Sequence, residues 1–142
     1  MQVITAITLG GAGKTVFFVG LMVVVFLVLR ARSAGSAAAA WAAIGQGALL
    51  VDVRGEQEFQ GGHLDGAINI PHDRISQHLG RFGADKSRPI VVYCLSGGRS
   101  ALAKAVLARQ GDTQVVNGGG YGALQAARAG ARIFPVFWWG SA

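Results

Sequence analysis

The chain has 142 residues, of which 51% are hydrophobic and only 14% charged, so it carries one packed domain plus a small extra segment and is too apolar to be disordered. Its net charge of +6 comes from scattered basic residues with no run of like charge, which speaks against a nucleic-acid partner. A single cysteine excludes an internal disulfide, a dithiol redox pair and a cysteine zinc cluster.

In chain order, the first feature is "GGAGKT" (residues 10–15). A phosphate-binding loop needs a glycine five positions before its Gly-Lys pair, and that position holds Thr8. The segment therefore reads as the flank of the apolar run that follows it. From Val16 to Leu29 no side chain is polar, and extension back to Leu9 gives a stretch of spanning length that includes Lys14. Arg30 and Arg32 come directly after it. By the positive-inside rule they predict a single-pass anchor over residues 1–33, in a membrane of the bacterial inner type, with the globular part cytoplasmic. A cleaved signal peptide, with "SAGSA" supplying small residues for the cut and export as the result, is the alternative.

The globular part covers residues 36–130. "SAGSAAAAWAAIGQG" predicts a short helix and "ALLVDVR" a buried strand. "GEQEFQGGH" predicts a helix closed by Gly61 and Gly62, and "GAINIP" a strand ended by Pro71. "HDRISQHLGRFG" reads as helical, with Ile75, Leu79 and Phe82 on one side. "RPIVVYC" is the central strand, and "SALAKAVLARQG" a helix with Ser100 as its N-cap and Gly111 as its stop. "TQVVNGG" is a fourth strand, with a tight turn expected over Asn117 to Gly120, and "YGALQAARAG" is the last helix. Strands alternating with helices imply an α/β fold whose parallel sheet carries helices on its faces. Ligands bind such sheets at the carboxyl ends of the strands. The apolar tail, residues 131–142, is interrupted by Pro135 and too short to span; Trp138 and Trp139 pack on the sheet or rest at a membrane interface.

The chemistry concentrates in "CLSGGRS", residues 94–100. Cys94 leaves the central strand and a helix begins a few residues later. Leu95 to Gly98 turn back, the backbone N–H groups of such a turn point inward as an anion nest, the helix N-terminus adds its positive end, and Gly97 and Gly98 permit the curl. Arg99 adds a cation. Each of these stabilises a thiolate, which makes Cys94 a sulfur nucleophile working beside an anion. Ser96 and Ser100 supply hydroxyls at the same loop. Asp52 and Arg54 form an internal ion pair, or Arg54 faces the pocket and helps bind the donor. Glu58 pairs with a nearby arginine, and His63 bonds to backbone. His63, His72 and His78 lack metal-ligand spacing, so no metal site is expected.

These residues resemble the rhodanese family. "CLSGGRS" matches its Cys-x-x-Gly-x-Arg loop at Cys94, Gly97 and Arg99, while "LLVDVRGEQEF", "GHLDGAINIP" and "VVNGGGYGAL" are similar to its other signatures, in the right order. The resemblance implies a three-layer rhodanese-like fold, preceded here by one transmembrane helix. It also implies a sulfurtransferase that needs no metal or organic cofactor, with Cys94 and Arg99 as catalytic residues and the loop Leu95, Ser96, Gly97, Gly98 and Ser100 binding the persulfide. The substrates it implies are a small sulfur anion such as thiosulfate and a thiol or cyanide acceptor, with a sulfur-acceptor protein as a further partner. Alternatives are a membrane-tethered binding or sulfur-carrier module, or a cysteine phosphatase or arsenate reductase. Phosphatase loops place five residues between cysteine and arginine where this chain places four, and the chain has no second cysteine to resolve a disulfide.

Overall fold

The computed structural model describes residues 11–133, in two units: Met1–Arg32 and Ser33–Ala142. The first unit holds the N-terminal part of helix α1 (Gly11–Gly45). Its side chains are described from Phe18 to Val28, and the large apolar ones among them are 43% to 68% exposed. No helix among the described residues is long and apolar enough to cross a membrane. The transmembrane helix expected ahead of the domain is not found among the described residues; Leu9, where the expected span began, lies outside them.

In the second unit, strands β1 (Leu49–Asp52), β2 (Ile68–Asn69), β3 (Ile90–Cys94) and β4 (Val115–Gly120) form one sheet in the order β2-β1-β3-β4. Every pairing is parallel, as the alternation of strands and helices predicts. The carboxyl ends, at Asp52, Asn69, Cys94 and Gly120, therefore lie along one edge. β3 is central and buried throughout, which explains its uninterrupted apolar sequence: alternate residues face opposite sides, and both sides are covered. Ile90, Val92 and Cys94 join a core with Val51, Ile75, Phe82, Ala103 and Leu107. Val91 and Tyr93 join a second core with Ala37, Ala40, Leu50, Leu64 and Leu124.

Helix α3 (Gly98–Arg109) covers the first face. The second is covered by α4 (Tyr121–Ile133) and the last turns of α1. Ala37, Ala40, Trp41 and Ile44 recur at helical spacing in that second core. Trp41 donates its ring N–H to the Leu124 carbonyl at 3.0 Å, which ties the two helices together. The result is the three-layer arrangement the sequence implies. The C-terminal tail with Trp138 and Trp139 lies outside the described residues.

Three local expectations are corrected. Residues 72–83 form two 3₁₀ turns, His72–Gln77 and Leu79–Phe82, rather than one helix. Gly80 weakens an α-helix there, and Ile75 and Phe82 are buried all the same. Helix α3 starts at Gly98, with Gly97 and not Ser100 at its N-cap. Residues 117–120 belong to β4, and only Gly119, at φ +80°, has turn-like backbone.

Candidate active site

Strand β3 delivers Cys94 to the carboxyl edge of the sheet, on the face covered by α3. The thiol is 1% exposed. The chain then turns through Leu95 and Ser96 to Gly97, whose φ of +97° is a conformation that disfavours side chains, and enters α3 at Gly98. This curl points backbone N–H groups back at the sulfur. The Gly97 N–H donates to Sγ at 3.0 Å, and the Ser100 hydroxyl lies 3.5 Å from it. Burial pushes the thiol up. The Ser100 hydroxyl and the N–H groups of Ser100, Ser96 and Gly97 outweigh that and leave it below the ordinary cysteine value.

Ser100 is fully buried and takes part in a wider network. Its Oγ lies 3.0 Å from the Gly97 carbonyl and 2.7 Å from Asn117 Oδ1, on β4. Its hydroxyl thus faces the sulfur and the loop from inside the first turn of α3, instead of capping the helix.

Arg99 lies beside the loop and is engaged by Glu58 of helix α2 (Glu56–Gln60) through a two-point contact of 2.6 and 2.9 Å. Glu58 Oε2 also accepts the Gly55 N–H at 3.1 Å. The Arg99 guanidinium, with help from that N–H, lowers the Glu58 carboxyl to about 2. Arg99 is itself raised, first by Glu58 and further by the Cys94 sulfur. Glu58 therefore holds the one cation of the loop.

The contribution of this pair to stability depends on pH. Because the folded-state value of Glu58 is depressed, its contribution is present above about 4.5 and disappears as pH falls toward about 2. Glu58 is 37% exposed, so solvent screening keeps the effect at or below about 1 kcal/mol. Glu58→Gln is accordingly expected to lower the urea midpoint slightly at neutral pH, with the gap to the unaltered chain closing between those two pH values. A gap that persists below pH 2 would contradict the pairing.

Arg54 is 4% exposed. It grips the Asp52 carboxylate, donates to the Gly62 carbonyl at 2.7 Å, and lies 4.5 Å from the centre of the Tyr121 ring. The internal ion pair is present, held through Nε and Nη2 of Arg54. His63 Nδ1 meets the Phe59 carbonyl at 2.9 Å, and its ring stacks on Phe59. Among the described residues, no group of three or more His, Cys, Asp or Glu side chains is placed to hold a metal ion.

The structure thus brings Cys94, Leu95, Ser96, Gly97, Gly98, Arg99 and Ser100 together as one loop. It adds two residues from elsewhere, Asn117 and Gly120. The sequence signal for the first was a polar residue within an otherwise apolar strand, "VVNGGG". Gly120 is the point where β4 passes closest to the loop: a Cβ there would lie 2.5 Å from the Leu95 carbonyl oxygen.

Comparison with known proteins agrees with this geometry. The profile of the rhodanese-like domain matches residues 36–127. The chain is 39% identical over 70 residues to the thiosulfate sulfurtransferase PspE of Escherichia coli, a match covering 49% of this chain and 67% of that one. It is 37% identical over 81 residues to the thiosulfate sulfurtransferase GlpE of Shewanella oneidensis, covering 56% of this chain and 78% of that one. Among solved structures, an E. coli rhodanese with anions superposes with a TM-score of 0.50 at 36% identity, covering 53% of this chain and 88% of that one. A human single-domain sulfurtransferase superposes with a TM-score of 0.51 at 26% identity, covering 58% of this chain and 86% of that one.

Proposed function

The chain belongs to the rhodanese-like domain family, and from that premise we propose that it transfers sulfane sulfur from thiosulfate, or a persulfide donor, to cyanide or a thiol through a persulfide on Cys94. The observation that carries the proposal is the sulfur at the focus of the Gly97 N–H and the Ser100 hydroxyl, with its thiol held below the ordinary value.

In the first half-reaction the Cys94 thiolate attacks the outer sulfur of thiosulfate. A Cys94 S–S bond forms, the bond between the two thiosulfate sulfurs breaks, and its electron pair leaves with sulfite. The enzyme is then Cys94–S–S⁻. In the second, cyanide or a thiolate attacks the outer sulfur, and the electron pair of the Cys94 S–S bond returns to Sγ. Thiocyanate or the acceptor persulfide departs, and the thiolate is restored. Charge is conserved in both steps, and neither requires a proton, a metal or an external oxidant.

In this reading the loop N–H groups hold the negative sulfur that both half-reactions share, in a site largely shielded from water. Arg99 attracts the doubly charged donor, and Glu58 fixes the direction in which it points. The sulfur-carrier alternative differs only in its acceptor, a protein thiol in place of a small molecule. Steady-state turnover of thiosulfate with cyanide tests the proposal. Parallel double-reciprocal lines are expected, the pattern of a cycle through a covalent enzyme intermediate. Intersecting lines, or no thiocyanate from a folded protein, would overturn it.

We also propose that the chain sits at a membrane with Cys94 on the cytoplasmic side. The exposed apolar stretch from Phe18 to Val28, and Arg30 and Arg32 behind it, support that placement. Co-sedimentation with membranes through a carbonate wash, with release by detergent, is the expected behaviour, and full recovery in the soluble fraction would contradict it.

A further inference from the structure

The hydrogen-bonding capacity around Ser100 is over-subscribed. One hydroxyl proton faces three groups: Asn117 Oδ1 at 2.7 Å, the Gly97 carbonyl at 3.0 Å and Cys94 Sγ at 3.5 Å. The first two only accept, so they compete for that proton. Asn117 settles the competition. Its Nδ2 donates to the Gly97 carbonyl at 3.1 Å, which gives that oxygen a partner besides the Ala101 N–H. Its Oδ1 is kept facing Ser100 by the Gly119 N–H at 2.9 Å. A flipped amide would set Nδ2 against the Gly119 N–H and Oδ1 against the Gly97 carbonyl, two repulsive pairs, so the orientation is fixed.

We propose that Asn117, reaching across from β4, is a positioning residue for sulfur transfer: by bonding the Gly97 carbonyl it anchors the turn whose Gly97 N–H meets the Cys94 sulfur, and it holds the Ser100 hydroxyl where that can serve the same atom. With Cys94 as a thiol, the S–H donates to Ser100 Oγ and the hydroxyl donates to Asn117. When Cys94 ionises, rotation about the Ser100 Cβ–Oγ bond turns the hydroxyl proton onto sulfur. The Asn117 oxygen keeps its bond from Gly119 and is not left unsatisfied. When sulfur is added, negative charge moves to the outer atom of the persulfide, and the hydroxyl can return to Asn117. The side chain touches neither substrate nor the reacting sulfur; it acts through Ser100 and Gly97.

This inference deepens the sulfurtransferase reading, but its test uses a readout that needs no sulfur donor. The rate of Cys94 alkylation by iodoacetamide, measured on the full chain across pH, reports the midpoint at which the thiolate forms. Asn117→Ala removes the Nδ2 donor from the Gly97 carbonyl, so that oxygen takes the Ser100 hydroxyl from the sulfur and the turn carrying the Gly97 N–H loses its anchor; the midpoint is expected to rise by about half to one pH unit, and Ser100→Ala to raise it by about one, the scale of one lost hydrogen bond to a charged group. The double variant is expected to match Ser100→Ala alone, since Asn117 works largely through that hydroxyl. Asn117→Thr preserves bulk and suits a strand, so it guards against a folding defect in the alanine variant. Its single hydroxyl cannot serve Ser100, Gly97 and Gly119 together, and the same upward shift is expected. In thiosulfate–cyanide turnover, kcat is expected to fall about tenfold with KM little changed.

An unmoved midpoint in both folded Asn117 variants, a downward shift, or full additivity with Ser100→Ala would overturn the assignment. A shifted midpoint in a chain that takes no sulfur from thiosulfate would support the role of Asn117 and reject the sulfurtransferase reading.

Discussion

Cys94→Ser is expected to release no thiocyanate above background, a fall of about 10⁴-fold or more, the range seen when a covalent nucleophile is removed. The oxygen replaces sulfur at the same place, with the Gly97 N–H and the Ser100 hydroxyl still present as partners. The fold is therefore retained, and the circular dichroism spectrum should be unchanged. The loss is chemical. A serine hydroxyl remains protonated at neutral pH, and a few hydrogen bonds cannot lower it far enough, whereas a thiol starts within reach and is lowered further here. Retained turnover in the serine variant would place the chemistry on another group.

Gly120→Ala carries the second large effect, although the glycine is far from Cys94 in sequence. β4 and the loop after β3 meet here: Cys94 is paired with Gly120 in the sheet register, and the ladder is irregular between Val92 and Cys94. A methyl group would need to sit 2.5 Å from the Leu95 carbonyl oxygen and 3.3 Å from the carbonyl carbon, both backbone atoms. No rotamer change relieves that contact, so either the loop or the strand must move. A cost of about 1–3 kcal/mol is expected, read as a lower denaturant midpoint with the slope unchanged. Displacement of Leu95 moves the N–H groups that follow it, so sulfur transfer should fall by more than the stability loss explains. Gly122, two residues on in α4, is the control, because a methyl group there meets open space. Gly122→Ala should leave activity unchanged and stability unchanged or slightly raised. Equal behaviour of the two variants would contradict the close-approach argument.

The fold was legible where burial dictates composition. β3 is covered on both faces and reads as "IVVYC"; the last turns of α1 bury Ala37, Ala40, Trp41 and Ile44, and the helical spacing shows it. The segment after Pro71 was less legible, because Ile75, Leu79 and Phe82 have a helical spacing that two 3₁₀ turns satisfy equally well. The apolar N-terminal run suggested a span; its described part, Phe18 to Val28, is exposed, and the expected start at Leu9 lies outside the described residues.

At the site, the contiguous residues were visible because local backbone geometry brings them together. Cys94 through Ser100 form a single turn, and the glycines announce it. The contacts that cross the fold were not. Nothing in "VVNGGG" states that Asn117 lies opposite Ser100; that follows only once β4 is placed beside β3. The Glu58–Arg99 contact joins residues 41 positions apart, and sequence suggested only an unspecified arginine partner. Ser100 was misread as a cap because serine at the start of a helix is the commonest cap signal. Gly97 takes that position with a left-handed backbone, and the hydroxyl faces inward.

The central claim is that Cys94 accepts one sulfur atom and gives it up again. Intact mass spectrometry of the full chain, before thiosulfate, after it, and after subsequent cyanide, tests this most directly. The predicted result is a gain of one sulfur atom, located at Cys94 by peptide mapping, returned by cyanide as thiocyanate and absent from Cys94→Ser. An unchanged mass in a folded chain that still alkylates at Cys94 would contradict the thiosulfate pathway, and a sulfur gain equal in the serine variant would contradict the role of Cys94 itself.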